Sequence, residues 1–370
     1  MAFVGVSLTG NQLTLLGALS ARHVGFSLTE ACPLKCRHCI VSTVSAAVRS
    51  RTMPMERAKQ YAGQLPALTE RGVQFISFTG GEPLLAPKQL QLLSEAAVCA
   101  GLECTVVTAC HWATSDSATR RVIAAFPNIA SWHLSTDVFH EEFVPLHNVL
   151  RAARVAVAES RRVMVRMAAT VPLSERHQQM HQELQAQLPD GAPIVVQPIT
   201  QMGRGASIQT EIPLAEVPAW PCVPSAMVVR FDGTVSPCCG GLSDERTGHP
   251  FQYPAADRVG LAQAHQAWCT DPLLQLIRTV GFAPLLQWVA EAFPEHEVLK
   301  ATPRHPCECC IKLWKDPAVG PELRRRAELP QNRLKIARLT GVVFGETFMK
   351  QAEAALSAPA ASTCGGTHYV

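Results

Sequence analysis

The chain has 370 residues, of which 47% are hydrophobic, and a formal net charge of +3 from 33 basic and 30 acidic residues. This length allows one large domain with a smaller one, and the hydrophobic fraction allows a sizeable buried core. The near-balanced charge excludes the strongly basic surface that nucleic-acid binding requires, so we predict no nucleic-acid partner.

The sequence offers no secretory or membrane segment. The first residues have no basic start ahead of an apolar run, and no stretch reaches about 18 uninterrupted apolar residues. We therefore expect a soluble, cytoplasmic protein with no membrane partner. Because thiols stay reduced in that compartment, the 14 cysteines are expected to serve as metal ligands, reactive thiols or buried small residues rather than as disulfides.

Between residues 23 and 200, short apolar runs alternate with helical patterns, which predicts βα units and a parallel sheet. Six strands are predicted, at His23–Leu28, Val73–Thr79, Glu103–Thr108, Ser131–Ser135, Val163–Val171 and Ile194–Ile199. Five helices are predicted between them, at Met55–Arg71, Pro87–Ala100, Ser117–Phe126, Leu146–Ser160 and Ser174–Leu188. Six such repeats predict an α/β fold, a partial (β/α)6 TIM-like barrel.

The pattern changes after Gly205, where proline becomes frequent and cysteines cluster. We predict four regions: an N-terminal extension (1–22), the barrel (23–205), a small β-hairpin and helical domain (206–320), and a helical C-terminal segment with a flexible tail (321–370). Asp232-Gly233 is a hairpin turn signal. Helices with breaks at Gly281 and Pro330 are predicted over Leu273–Phe293 and Pro321–Leu356.

Three cysteines follow the first predicted strand with the spacing Cys-x3-Cys-x2-Cys, at Cys32, Cys36 and Cys39. A cubane cluster has four irons, so three protein thiolates leave one iron free to bind an amino-acid chelate. A tetrahedral zinc site that also uses His38 is the alternative that this spacing leaves open.

The cysteine motif resembles the cluster loop of the radical S-adenosylmethionine (radical SAM) superfamily, and a second motif agrees with it. Gly80-Gly81-Glu82-Pro83 ends the second predicted strand, where that family has a loop that holds the amino group of the cofactor. Glycine there lets the backbone approach a ligand closely. The resemblance implies that a [4Fe–4S] cluster cleaves S-adenosylmethionine to a 5′-deoxyadenosyl radical, which abstracts a hydrogen atom from the substrate.

The same resemblance implies roles for three further residues. Ser135 and Asp137 stand where family members present polar groups to the cofactor ribose, and Arg166 resembles a basic position that pairs with the cofactor carboxylate. Two simpler interpretations stay open, because Asp137 could cap the following turn and Arg166 could be a solvated basic residue.

Cys110 is the candidate catalytic residue. It lies in Thr108-Ala109-Cys110-His111, where the family commonly has Thr-Asn-Gly, at the carboxyl end of the third predicted strand. Active sites of β/α barrels lie at that end, so the thiol would face the barrel mouth. By resemblance to radical epimerases, it could donate a hydrogen atom to a substrate radical.

A second group of cysteines surrounds the predicted hairpin. Cys222 precedes it, Cys238 follows it, and Cys307 and Cys310 form a later Cys-x2-Cys pair. This arrangement resembles the twitch and SPASM extensions of radical SAM enzymes, in which a hairpin brings cysteines to an auxiliary [4Fe–4S] cluster. The resemblance implies one auxiliary cluster with these four ligands, and a four-cysteine zinc site is the alternative.

The ligand choice within each cysteine doublet stays open, since Cys239 adjoins Cys238 and Cys309 adjoins Cys310. The shorter twitch form matches better than a full SPASM domain, because the next cysteine, Cys364, lies far along the chain.

Proteins that pair such a core with this extension resemble maturases that modify ribosomally made peptides by crosslinking, thioether formation or epimerisation. They also resemble dehydrogenases and epimerases of small molecules such as aminocyclitols, and the fold does not choose between them. We expect peptide modification, with small-molecule oxidation or epimerisation as one alternative and a non-catalytic zinc-binding protein as another. The expected partners are a precursor peptide or small-molecule substrate and an electron donor such as flavodoxin or ferredoxin.

Overall fold

A computed structural model of the chain describes residues 19–41, 43–200, 202–208, 221–222, 226–238, 251, 253, 256–301, 303, 306–344 and 368–369. Within these residues, nine strands form one sheet in the order β10-β9-β1-β4-β5-β6-β7-β8-β11. Its strands are β1 His23–Thr29, β4 Phe75–Gly80, β5 Glu103–Thr108, β6 Ile129–Ser135, β7 Arg162–Ala169, β8 Ile194–Pro198, β9 Met227–Arg230, β10 Val235–Ser236 and β11 His368–Tyr369. A separate pair joins β2 Ala31–Cys32 to β3 Val44–Ser45.

Every neighbouring pair in the large sheet is parallel except β9 with β10, which form an antiparallel hairpin. Helices connect the central strands. Two of them, Met55–Ala62 and Leu65–Thr69, lie between β1 and β4, and each later connection has one helix, at Pro87–Cys99, Asp116–Ala125, Leu146–Ala158 and Glu175–Gln187. This alternation of parallel strands and helices is the predicted partial TIM-like barrel.

The two faces of the sheet differ because successive side chains of a strand point in opposite directions. Phe26 packs against Tyr61 and Phe78, with ring centroids 5.9 and 6.2 Å apart, in the core beneath the helices. On the other face, His133 and Arg166 are half-buried, between strand neighbours that are fully buried. The barrel therefore has an apolar layer under its helices and a concave inner face with polar groups.

Both ends of each of the six predicted strands lie within two residues of the ends in the structure. The predicted helix Met55–Arg71 is wrong as one element, because it is two helices. The first ends at Ala62 with Gly63 as its C-cap, and the second begins at Leu65 with Pro66 in its first turn.

The elements of the second half that were not predicted include the helices Ala256–Val259, Leu261–Thr270 and Pro306–Lys315. The strand His368–Tyr369, which pairs with β8, lies in the stretch that was predicted as a flexible tail. The breaks at Gly281 and Pro330 are confirmed.

The second half of the chain packs against the barrel beside β1. Strand β9 pairs with β1 in parallel, so the predicted hairpin around Asp232-Gly233 continues the barrel sheet. Its helices are Ala256–Val259, Leu261–Thr270, Pro272–Val280, Ala283–Ala292, Pro306–Lys315, Val319–Glu328 and Pro330–Phe344.

Polar contacts hold these helices to the barrel. Arg57 pairs with Asp257 at 3.0 Å, and His265 Nε2 lies 2.9 Å from the Ala21 carbonyl. Between two of these helices, the buried Arg278 guanidinium stacks 4.3 Å from the Trp268 ring centroid. No helix of the described residues is both long and apolar enough to cross a membrane.

Candidate functional site

The three cysteines of the first motif follow β1: Cys32 ends the short strand β2, and Cys36 and Cys39 lie in the loop between β2 and β3. Cys36 is buried, while Cys32 and Cys39 are half-buried. Burial raises the pKa of the Cys32 thiol to about 12, the amide of Leu34 opposes this shift, and the charges of Glu82, Cys36 and Cys39 add to it. Several potential anions thus share one small site, which suits a cationic metal group.

An arginine after β8 clamps this loop from the other side of the barrel. Arg204 donates from Nε to the Cys36 carbonyl, from Nη1 to the Thr43 carbonyl and from Nη2 to Thr43 Oγ1, each at 3.0 Å. Its backbone amide also donates to the Cys39 carbonyl at 2.9 Å. Sequence reasoning gave Arg204 no role, although a glycine on each side of it signals a close backbone approach.

The Gly80-Gly81-Glu82-Pro83 loop packs directly on the segment that leads into the cysteines. The amide of Gly81 donates to the Thr29 carbonyl at 2.6 Å, and that of Glu82 donates to the Ala31 carbonyl at 2.9 Å. A Cβ atom on Gly81 would lie 2.2 Å from the Ala31 oxygen, so a side chain has no room there. In this structure, the glycines make space for the protein's own backbone, and they fix Glu82 beside the cysteines.

Glu82 is a buried carboxylate at the carboxyl ends of β4 and β5. Both of its oxygens lie 3.0 Å from Thr108 Oγ1, and it accepts from the amides of Leu84 at 3.2 Å and Ala109 at 3.1 Å. His111 Nδ1 lies 3.6 Å away. Pro83 begins the short 3-10 turn that follows. The predicted contact of Glu82 with a cofactor amino group stays a prediction.

Asp137 is buried and forms the centre of a cluster with two histidines. One carboxylate oxygen accepts from the amides of Phe139 and His140, both at 2.9 Å, as in a capping turn. The other lies 2.7 Å from His140 Nδ1 and 3.2 Å from His38 Nε2. These histidines hold the pKa of Asp137 well below its usual range, although burial opposes the shift. The predicted ribose contact of Asp137 stays a prediction.

His140 also reaches the cysteine loop. Burial disfavours its charged form, yet the Asp137 carboxylate and a hydrogen bond with the Cys36 side chain raise the pKa of His140 well above its ordinary value. Sequence reasoning gave His140 no role. His38, next to the third cysteine, keeps a buried Nδ1 atom with no hydrogen-bond partner in the described part of the chain.

Ser135 and Arg166 are direct neighbours in the register of β6 and β7. Both are half-buried, and Arg166 donates to Gln197 Oε1 on β8 at 2.8 Å. Burial, and after it the charge of Arg166, lowers the pKa of His133 to about 3 and the pKa of His23 to about 4. The structure thus places Arg166 in a basic group on the inner face, and its cofactor contact stays a prediction.

Cys110 follows β5 in a left-handed backbone conformation, with φ of 60°, which a non-glycine residue rarely adopts. Its side chain is fully buried, and burial, with the charge of Glu82 second, raises its pKa well above the ordinary value. The thiol therefore stays protonated near Glu82, the state that hydrogen-atom donation needs. This catalytic role stays a prediction.

A buried ion cluster ties the cysteine segment to the hairpin. Glu30, immediately before β2, forms ion pairs with Arg51 and Arg230, and only 2% of Glu30 is exposed. Arg51 also lies over the Phe231 ring, 5.3 Å from its centroid. This cluster was not predicted, because it joins residues 200 positions apart and leaves no local sequence pattern.

The second cysteine group comes together from three distant parts of the chain. Burial raises the pKa of Cys310 well above its ordinary value, and the charges of Cys238 and Cys222 raise it further. These three thiols therefore lie close enough to interact electrostatically. Trp314 Nε1 donates to Cys310 Sγ at 2.9 Å. Cys307 lies three residues before Cys310 in the same helix, and therefore on the same side of it.

Other thiols have separate positions. The pKa of Cys309 is raised to about 12, first by burial and then by Glu308, and Cys309 itself is fully buried. Cys269 received no role from the sequence, and it contacts the His265 ring, with Sγ 3.6 Å from Nε2. Cys239 and Cys364 lie outside the described residues.

Comparison with known proteins agrees with this geometry. The model of the Radical SAM superfamily matches residues 26–170. Among solved structures 40 chains match, including a histidine-tagged protein described as "anSMEcpe with bound AdoMet". That chain is 12% identical, with 90% of this chain and 98% of that chain covered and a TM-score of 0.49. None of the curated proteins compared matches the sequence. Residues 26–170 are therefore similar to a radical SAM domain, a kind of domain that works with a [4Fe–4S] cluster and S-adenosylmethionine.

Proposed function

We propose that this chain is a radical SAM enzyme that modifies a ribosomally made peptide, with its first cluster held by Cys32, Cys36 and Cys39. The observation that carries the proposal is the meeting of these thiols with the buried Glu82 at the carboxyl end of the sheet, inside the span that matches the superfamily. When bound, the cluster supplies the electron that cleaves S-adenosylmethionine to methionine and a 5′-deoxyadenosyl radical, which takes a hydrogen atom from the substrate.

The match to the superfamily favours an iron–sulfur cluster over zinc at these thiols. A cubane binds each thiolate to a different iron, so three protein thiolates leave one iron open for the amino-acid end of S-adenosylmethionine. A zinc ion held by the same cysteines and His38 would supply no electron for the cleavage of this cofactor.

The protein's own residues then have three tasks. Glu82 presents carboxylate oxygens for the cofactor amino group, and its contacts with Thr108 and Ala109 keep it aimed. The inner face offers Ser135 and Arg166 to the ribose and carboxylate of the same cofactor. The domain must also exclude water and hold one substrate C–H bond against the cofactor's C5′ carbon.

We further propose an auxiliary [4Fe–4S] cluster on Cys222, Cys238, Cys307 and Cys310. The electrostatic proximity of Cys310 to Cys222 and Cys238 supports this ligand set, and so does the donation of an indole N–H to Cys310, since cluster sulfurs commonly accept hydrogen bonds. A second cluster suits a reaction in which a substrate radical gives up an electron. Reduced flavodoxin or ferredoxin is the proposed electron donor.

Metal analysis after anaerobic reconstitution tests the two cluster assignments. The wild type should hold about eight irons, and replacing Cys32, Cys36 and Cys39 together by Ala should leave about four and abolish 5′-deoxyadenosine formation. Cys99→Ala is the matched control, because this thiol is exposed on an outer helix and should change neither value. Zinc in place of iron would refute the proposal.

The peptide substrate needs a separate experiment. The protein would be co-expressed with each short open reading frame that neighbours its gene, and the peptides would be examined by mass spectrometry. A mass change that requires Cys32, Cys36 and Cys39 supports the proposal. Unchanged peptides together with 5′-deoxyadenosine formation on a small molecule would favour a dehydrogenase or epimerase instead.

A further inference from the structure

The turn that follows β5 brings a tryptophan back onto the last residue of that strand. Trp112 Nε1 donates to Thr108 Oγ1 at 2.9 Å. The amide of Ala113 closes the turn by donating to the Cys110 carbonyl at 3.0 Å, and Arg151 Nη1 donates to the Ala113 carbonyl at 2.6 Å. Backbone and side-chain hydrogen bonds therefore hold the indole beside the threonine hydroxyl.

The direction of the Thr108 hydroxyl follows from what its two neighbours can do. An indole N–H only donates, so Thr108 Oγ1 accepts from Trp112, and an ionised carboxylate only accepts, so the single hydroxyl hydrogen points to Glu82. Both oxygens of Glu82 lie 3.0 Å from this hydroxyl. Consecutive hydrogen bonds polarise one another, so donation by Trp112 strengthens the bond from Thr108 to Glu82.

Glu82 has little acceptor capacity left for a ligand. A carboxylate offers about four lone-pair positions. The Leu84 amide, the Ala109 amide and the Thr108 hydroxyl all donate to it. A further donor must approach from the side that remains, and rotation of the carboxylate would turn that side away. The indole that fixes the Thr108 hydroxyl therefore also fixes the direction from which Glu82 accepts.

We propose that Trp112 is a positioning residue for cofactor binding, which acts through Thr108 to keep Glu82 aimed at the amino group of S-adenosylmethionine. The indole is itself well supported, because its ring packs 5.5 Å from that of the fully buried Trp132. Trp112 need not touch the cofactor, since its N–H is already engaged by the hydroxyl. This inference rests on the proposed function, because it needs the cofactor at Glu82.

Three substitutions separate the hydrogen bond of the indole from its packing. Trp112→Phe removes the N–H and keeps an aromatic ring, and 3-benzothienylalanine in place of Trp112 removes the N–H while it keeps the shape of tryptophan. Trp132→Phe is the matched control, because Trp132 Nε1 is buried without a hydrogen-bond partner in the described part of the chain. Thr108→Val removes the hydroxyl and completes a double-mutant cycle with Trp112→Phe.

The measurement is calorimetric titration of the anaerobically reconstituted full-length protein with S-adenosylhomocysteine and with its deamino analogue. Only the first ligand carries the amino group. Both changes at Trp112 should weaken the binding of S-adenosylhomocysteine about fivefold, which corresponds to about 1 kcal/mol, and should leave the affinity for the deamino analogue unchanged. Trp132→Phe should match the wild type with both ligands. In a Thr108→Val background, Trp112→Phe should change the affinity by less than about twofold.

Each outcome decides the question. Equal losses of affinity for the two ligands, or equal effects of the Trp112 and Trp132 substitutions, would mean that the ring supports the fold rather than Glu82, and would overturn the inference. An undiminished loss in the Thr108→Val background would overturn it as well, because Trp112 would then act by another route. These results would leave the proposed function intact, whereas a wild-type protein that binds neither ligand would refute both.

Discussion

Replacing Arg204 by Gln should loosen the cysteine loop by about 3 kcal/mol. The Arg204 side chain makes three hydrogen bonds to the loop, to the Cys36 carbonyl and to both oxygens of Thr43. A hydrogen bond in a half-buried site contributes about 1 kcal/mol, so three of them give the estimate. Gln cannot span both carbonyls, and the loop loses most of its tie to the segment after β8.

Hydrogen exchange in the metal-free protein measures this change directly. The amide of Cys39, which donates to the Cys36 carbonyl, and the amide of Arg204, which donates to the Cys39 carbonyl, report on the opening of the loop. A change of about 3 kcal/mol makes these amides exchange about 10²-fold faster, since about 1.4 kcal/mol corresponds to tenfold.

A control in the same loop sharpens this test. Arg37→Gln also removes a guanidinium, but the Arg37 side chain is 69% exposed and its ion pair with Glu142 should contribute less than about 1 kcal/mol. Exchange should then increase by less than about fivefold. Equal effects of the Arg37 and Arg204 substitutions would refute the view that Arg204 clamps the loop.

Three further results are expected. Arg230→Met should lower the free energy of unfolding in urea by about 3 kcal/mol, because the buried Glu30 carboxylate loses one of its two guanidinium partners, and a loss below about 1 kcal/mol would contradict this. Gly81→Ala should lower it by more than about 2 kcal/mol in the same assay, whereas Gly341→Ala, in an open helix position, should raise it by up to about 1 kcal/mol. Burial, with Arg166 second, lowers the pKa of His23 to about 4. Folding therefore favours the neutral ring. The stability that this ring contributes to the folded protein is complete above pH 6.5 and is lost as the pH falls from 6.5 toward 4. In His23→Gln, the free energy of unfolding should depend less on pH over that range.

The barrel could be predicted from sequence because its signals are local. Alternating apolar runs and helical patterns mark each β/α repeat, and the strand Glu103–Thr108 agrees with the structure at both ends. The spacing of Cys32, Cys36 and Cys39 is equally local, since all three lie in one short segment of the chain. The helix over residues 55–71 was misjudged because Gly63 and Pro66 can both occur near the ends of helices, and the apolar spacing continues across them.

The contacts that complete the site could not be predicted, because they join distant segments. Arg204 and Cys36 are 168 positions apart, and no periodic pattern links them. The same applies to His140 and Cys36, since the distance between the loops after β1 and β6 is set by the closure of the sheet. Sequence patterns locate each loop at the carboxyl end of its strand, but side-chain pairing between loops depends on their three-dimensional course.

Glycine is the one sequence signal that marks some of these contacts in advance. A Cβ atom would lie 2.1 Å from the Thr29 oxygen at Gly80 and 2.6 Å from the Cys39 oxygen at Gly203. The backbone at the end of β4 thus packs against Thr29, and the backbone after β8 packs against Cys39, at opposite ends of the segment that carries the three cysteines. The Arg204 side chain adds hydrogen bonds at the Cys39 end. A segment held at both ends keeps its course without bound metal, so ordering it adds little to the free-energy cost of cluster assembly. The glycines that the sequence motif assigns to the cofactor therefore also shape the loop that receives the cluster.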